Sequence, residues 1–264
     1  MADIISYAAA FIFGAVIGSF VNVCVYRMPR GISVVRPRSA CPACGAALRP
    51  AEMIPLASYI FLRARCSSCR GRISPRYPLL EAVCGAMWAA SLWKFSFSFQ
   101  FACYSALFSV YLAVFFIDLE CMRIPNKLVI SAMLPASAAA ARFSFLLADP
   151  ERFRSVYGSV NRFEPLLGLL PPAFFAAVYL ITALTRKGGP AIGMGDIKLL
   201  IPTGLALGLR QSLFAAIMAV MLGGLAGAAL ILLGRKNRKD PIPFGPFIVA
   251  GAFAAAFMPL NILF

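Results

Sequence analysis

The chain has 264 residues, of which 61% are hydrophobic and 13% charged, and its mean hydropathy is +0.83. That balance excludes an ordinary soluble domain and a disordered chain. The net charge of +15 raises nucleic acid as a partner, but ten arginines fall between Arg27 and Arg76, beside apolar runs. Retention of positive loops in the cytoplasm and contact with anionic lipid account for them, so membrane lipid is the expected partner and nucleic acid is not.

A spanning helix needs ~20 apolar residues, so this length has room for about eight short spans and one modest soluble insertion. No alternating barrel pattern occurs, and the expected fold is an all-α polytopic integral membrane protein. The apolar runs are approximately 4–26, 79–93, 101–117, 128–147, 165–184, 197–209, 212–234 and 244–264, with 197–209 and 212–234 open to a different split. The first run has no basic segment before it and continues too far for a cleavable signal. Pro125, Pro165 and Pro246 sit near helix starts, where the missing N–H is tolerated.

Alternating the spans puts 27–78, 118–127, 185–198 and 235–243 on one side with 19 Lys and Arg, against 6 on the other. That asymmetry makes the first group cytosolic and both termini periplasmic. Residues 1–28 are then the first transmembrane helix, 29–77 a cytosolic insertion, and 78–264 a helical membrane domain.

The insertion holds Cys41-Pro-Ala-Cys44 and Cys66-Ser-Ser-Cys69, separated by 21 residues. Two such pairs at this spacing suit a tetrahedral zinc site, and a reducing cytosol disfavours disulfides; a redox dithiol pair is the competing reading. The pairs form a small repeat, with Leu48 and Pro50 after the first matched by Ile73 and Pro75 after the second, and with Gly45 or Gly71 relaxing each turn. A closed four-cysteine site is structural, folding a segment too small for its own core. Cys24, Cys84, Cys103 and Cys121 lie in or beside spans and read as packing residues.

Of the ten acidic residues, Asp3, Asp149, Glu151 and Glu164 are expected at the outer face and Asp240 in a basic loop, all solvated. Asp118 ends a run whose seven preceding residues are apolar, and Asp196 lies in Gly193-Met-Gly195-Asp196-Ile-Lys198. Both fall on the cytosolic side of the alternation. A carboxylate at membrane depth is costly and usually retained for function. Two close together cannot both ionise readily, so one can hold a proton while the other deprotonates water. The bland alternatives are a boundary charge for Asp118 and a helix N-cap for Asp196. Gly193 and Gly195 let backbone approach closely. Lys198 does not share the helix face of Asp196, so no intrahelical salt bridge is expected. A transporter using both aspartates as proton carriers would also explain them, as would a zinc-knuckle scaffold that leaves them idle.

These segments together resemble the type 4 prepilin peptidases. The resemblance rests on Gly18-Ser-Phe-Val-Asn22-Val-Cys-Val-Tyr-Arg27-Met-Pro29, the two cysteine pairs, Ile54-Pro-Leu-Ala-Ser-Tyr59 and Ile73-Ser-Pro-Arg-Tyr-Pro-Leu-Leu-Glu81. Asp118 with Ile124-Pro-Asn126, the Gly193–Lys198 segment and Pro243-Phe-Gly-Pro-Phe247 complete it. It implies catalytic aspartates at Asp118 and Asp196, supported by Gly193, Gly195 and Lys198. It further implies a bifunctional enzyme of the bacterial inner membrane, with its active site cytosolic. Such an enzyme cleaves a short basic leader from prepilins or pseudopilins, then methylates the new N-terminal residue with S-adenosylmethionine. A leader peptidase without the methyl transfer is the nearer alternative. Asn126 stands where many members carry Asp. No glycine-rich nucleotide signature marks the cofactor site, which is expected near Gly18, Asn22, Arg27 and Glu81. Oligomeric state is not legible.

A basic leader would be repelled by the arginine-rich insertion and is expected to dock near Asp118, Glu120 and Asp196. Reversing the leader's charges should therefore slow cleavage in a processing assay; an unchanged rate would count against this docking route.

Overall fold

The computed structural model describes residues 2–146, 163–185, 192–237 and 240–258, without the side chains of Ala2 and 142–146. Asp149, Glu151, Arg152, Arg154 and Arg162 lie outside the described residues. Nine α-helices occur among those described: α1 Ala2–Arg27, α2 Ala57–Phe61, α3 Arg76–Phe95, α4 Phe99–Cys121, α5 Asn126–Leu146, α6 Glu164–Leu167, α7 Leu170–Thr185, α8 Met194–Leu232 and α9 Gly245–Phe257. No strand longer than an isolated bridge is present among them. Among the described residues four segments are long and apolar enough to cross a membrane: Asp3–Arg30, Phe99–Cys121, Glu164–Thr185 and Met194–Leu232.

The chain forms two compact units, Met1–Ala113 and Val114–Phe264, whose boundary falls within α4. In the first unit α1 packs along α3. Gly14 and Gly18, one turn apart, make the close approach possible. A Cβ on Gly14 would meet Trp88 at 2.7 Å, and one on Gly18 would meet Cys84 Cβ and Glu81 Cα at 2.9 Å. From the other side Gly85 meets the Phe11 carbonyl in the same way, at 2.8 Å. Small residues of this kind hold apolar helices together where hydrophobicity alone gives no preference.

In the second unit α8 packs against α5, α6, α7 and α9. Its backbone runs against Gly168 at Gly204 and against Gly251 at Ala215, where side chains would not fit. The expected runs 197–209 and 212–234 are one long element broken at Gly208, whose φ of 76° and ψ of −179° are not helical. The break explains a misplaced acid. Glu164, expected to be solvated, is only 6% exposed. Its Oε1 accepts the Arg210 backbone N–H at 3.0 Å, and a Cβ on Gly208 would sit 2.6 Å from its Cγ. The carboxylate thus caps the restarted helix, where N–H groups have lost their own acceptors. Composition could not reveal this, because the acceptor and the amide are 46 residues apart.

Glu164→Ala should lower stability by about 1–3 kcal/mol, since it removes the acceptor of a buried N–H, while Glu164→Gln keeps that oxygen and most of the stability. Thermal unfolding in detergent checks both; equal transitions for Glu164→Ala and the parent would refute the capping role.

Candidate active site and metal centre

The last turn of α4 carries Asp118, which is 4% exposed. Its Oδ2 accepts the Gly245 backbone N–H at 2.9 Å, across 127 residues of sequence. That amide opens α9, where the first N–H groups have no helical acceptor, so a helix start delivers its free donor to the carboxylate. Gly245 has no room for a side chain: a Cβ there would lie 2.8 Å from the same oxygen.

Asp196 lies in the first turn of α8, half-buried. The N-cap is Gly193, in extended conformation, so Asp196 is not the N-cap. A Cβ on Gly193 would come 2.8 Å from Asp196 Oδ2, and one on Gly195 would come 3.1 Å from Ile124 Cβ. The two glycines of the motif therefore do different things. Gly193 leaves space for the Asp196 carboxylate, and Gly195 lets the start of α8 press on the segment that follows Asp118. The carboxylates of Asp118 and Asp196 are brought within electrostatic reach of each other. Lys198 Nζ donates to Asn126 Oδ1 at 3.1 Å, so its recorded partner is the start of α5. The Pro243–Phe247 segment carries part of the family resemblance, but nothing in it marks the Gly245 amide as a partner of Asp118.

In the first unit the two cysteine pairs form equivalent knuckles. Cys41 N–H bonds to Ala46 O and Cys66 N–H to Gly71 O, both at 2.9 Å. Leu48 and Ser39 pair as Ile73 and Ala64 do, at the same offset of 25 residues. Isolated bridges Ala40–Ala47 and Arg65–Arg72 close each turn. One expectation is corrected: the left-handed residue of the second knuckle is Arg70, φ 59°, matching Gly45, φ 73°, and not Gly71. Register decides this, since both follow the first cysteine of their pair by four positions.

The four Sγ atoms lie within 4.8 Å of one another, Cys41 and Cys69 at 4.0 Å. A tetrahedral ion with ~2.3 Å metal–sulfur bonds needs edges of about 3.8 Å. Modest contraction satisfies that, so the cluster can hold a metal ion, and an all-thiolate set suits zinc. Amide N–H groups of Cys69 and Ser68 pull the Cys66 thiol down to about 7. Cys44 accepts the Ala46 amide, yet its sulfur neighbours, led by Cys69, push it up to about 11. Without an ion, one thiolate forms readily and makes the next harder. Glu52 ties the halves together: the Ser67 hydroxyl, then the Arg49 N–H and guanidinium, hold its carboxyl below the usual range.

A cavity of ≈ 660 Å³ adjoins this cluster, lined by Ser19, Asn22, Arg27, Cys41, Cys66 and Glu81 among others. It brings together three of the four residues expected near the cofactor. Gly18 faces α3 instead and acts as the packing glycine described above. Arg27, 8% exposed, donates through Nη1 to Ser33 O at 3.0 Å and through Nη2 to Arg38 O at 3.2 Å, clamping the entry to the insertion. Glu81, 9% exposed, accepts the Leu56 N–H at 2.8 Å. Leu56 has φ 60° and ψ −51°, a backbone strained for a residue with a side chain, at the point where the insertion meets α3. Asn22, 3% exposed, donates to Tyr77 O at 3.0 Å, and its Oδ1 has no partner.

The bacterial peptidase A24 N-terminal domain family matches residues 12–95, and the type IV leader peptidase family matches residues 105–231. A prepilin leader peptidase/N-methyltransferase of Bacillus subtilis (strain 168) is 38% identical over 245 residues, covering 93% of this chain and 91% of the relative. The chain belongs to the type IV leader peptidase family. Relatives of the same name from Burkholderia pseudomallei (strain K96243) and Pseudomonas aeruginosa (strain PAO1) are 32% and 28% identical. They cover 95% and 92% of this chain, and 84% and 87% of their own lengths. No solved structure matches. Both aspartates lie within the span matched by the leader peptidase family, and all four cysteines within that of the N-terminal domain.

Loading four thiols with a dication displaces their protons, so the metal affinity of this leader peptidase family member should fall as pH drops, and further below about 7, where Cys66 is protonated in the metal-free site. Cys41→Ser or Cys66→Ser should lower the metal content at every pH. Elemental analysis after chelator challenge reads both; constant metal content in the serine variants would refute the site.

Proposed function

We propose that the chain removes the basic leader from type IV prepilins or pseudopilins and then methylates the exposed N-terminus. The observation that carries the peptidase half is the approach of Asp118 and Asp196 from two helices, with the Gly245 amide on the first and the Gly193 amide on the second. Like charges within electrostatic reach disfavour double ionisation, and in this reading the pair shares one proton. The ionised member takes a proton from water as the oxygen attacks the scissile carbonyl carbon. The protonated member gives its proton to the carbonyl oxygen, and the collapse of that intermediate expels the new amine, which is protonated in turn. Gly193 and Gly245 leave the carboxylates of Asp196 and Asp118 the space that a side chain would take, and Gly195 lets α8 start close to Ile124. Membership of a leader peptidase family favours this reading over a proton-coupled transporter, which would leave the four-cysteine module without a task.

The methyl-transfer half rests on the first unit and on the names of the relatives. S-adenosylmethionine supplies the methyl group when bound, and the cavity walled by Asn22, Arg27 and Glu81 is of the size that accepts such a molecule. Arg27 acts there by positioning the insertion, while Asn22 and Glu81 offer buried polar atoms to a ligand. Zinc on Cys41, Cys44, Cys66 and Cys69 holds the wall formed by the insertion. In this reading residues 1–28 are the first span, 29–77 the zinc insertion and 78–264 the protease domain. The chain crosses the bacterial inner membrane about eight times, with termini periplasmic and both sites cytosolic.

Asp118→Ala and Asp196→Ala should each reduce leader cleavage by ~10²-fold or more. Both variants should still methylate a synthetic peptide that already begins at the cleaved residue. Assaying purified protein with a prepilin, the pre-cleaved peptide and S-adenosylmethionine separates the outcomes. Normal processing by either alanine variant would overturn the aspartyl mechanism.

A further inference from the structure

The cavity of the first unit contains an acceptor without a donor. Asn22 Oδ1 is buried and unpartnered, while Asn22 Nδ2 donates to Tyr77 O. A carbonyl can only accept, so the amide nitrogen must face Tyr77 and the oxygen must be the open end. A buried polar atom left unpaired is costly, and a ligand donor would recover that cost.

The neighbouring polar group is of the same kind. Gly18 and Asn22 are one turn apart on α1, and their contacts Glu81 and Tyr77 are one turn apart on α3. Ser19, on the turn between them, donates to Glu81. Asn22 and Glu81 therefore lie on one seam between two helices, and both line the cavity. Arg27, five residues on from Asn22, has both terminal nitrogens on backbone carbonyls of the insertion, while Arg76, next to Tyr77, also lines the cavity. The seam thus offers a neutral acceptor and a carboxylate, and among the described residues no donor reaches the Asn22 oxygen.

We infer that Asn22 and Glu81 form a subsite for a primary ammonium. Such a group brings three N–H donors and one positive charge, matching an unpaired amide oxygen beside a carboxylate. The inference rests on the methyltransferase reading, and that reaction involves two primary ammoniums: the N-terminus exposed by cleavage and the α-ammonium of the methyl donor. The geometry is the same for both, and binding measurements tell them apart.

The test is calorimetric titration of the full chain in nanodiscs with two ligand pairs. One is a peptide beginning with phenylalanine and its N-acetylated form. The other is S-adenosylhomocysteine and its analogue lacking the α-amine. For one pair, the amine form should bind the parent protein on the order of 10-fold more tightly, as hydrogen bonds to charged groups give. Glu81→Gln and Asn22→Leu should erase that preference, and Asn22→Asp, which keeps the acceptor, should retain it. Metal content reports that each variant is folded. The pair that shows the effect identifies the ammonium. Equal binding of amine and blocked forms in both pairs, or a preference that survives Glu81→Gln, overturns the subsite. If the parent methylates pre-cleaved peptide while showing no amine preference, the subsite alone falls. If it neither binds the pairs nor methylates, the methyltransferase reading falls with it.

Discussion

Buried carboxylates in a mostly apolar helical chain need a partner, and here the partner is repeatedly a backbone N–H. Gly245 supplies it to Asp118, Arg210 to Glu164 and Leu56 to Glu81. Two of these donors lie at a helix start or restart, where N–H groups are free because no preceding turn can accept them. The third comes from a residue held at positive φ. A backbone amide stabilises a carboxylate without adding a second charge that would itself need solvation. It also leaves the acid available for proton chemistry, which a tight guanidinium pair would suppress.

That constraint explains where glycines sit. Gly193 and Gly245 flank the aspartates because a Cβ would collide with the carboxylate oxygens, and Gly208 breaks α8 where Glu164 enters. Gly14, Gly18 and Gly85 serve a different end, bringing α1 and α3 close enough for Asn22 and Glu81 to share a seam. The same residue type thus makes room for carboxylates at some positions and for close helix packing at others.

The four-cysteine insertion follows another logic. Its exposed apolar residues, Ile54, Ile60 and Phe61 among them, show that it buries little of its own. Its order comes from two repeated knuckles, the Glu52–Ser67 link, a metal-sized thiol cluster and tethers to α1 and α3. The tethers are polar and specific: Arg27 to the carbonyls of Ser33 and Arg38, and Leu56 to Glu81. Metal binding in such a segment is coupled to the shape of the cavity beside it.

Much was legible in the sequence by itself. Hydropathy determined a helical membrane protein, cysteine spacing a four-thiolate cluster, and ordered motifs the family and its candidate aspartates. Those features are local, carried by runs or short spacings. Tertiary structure decided what depends on distant partners. It brought Gly245 to Asp118 over 127 residues and Arg210 to Glu164 over 46, turning an expected surface acid into a buried cap. It assigned Arg27 to the insertion's backbone and left the Asn22 oxygen open. Register within each knuckle put Arg70, not Gly71, in the left-handed position. Periodicity and composition report how a residue meets solvent on average, whereas a hydrogen bond needs two particular atoms at one place, and only the folded chain specifies that.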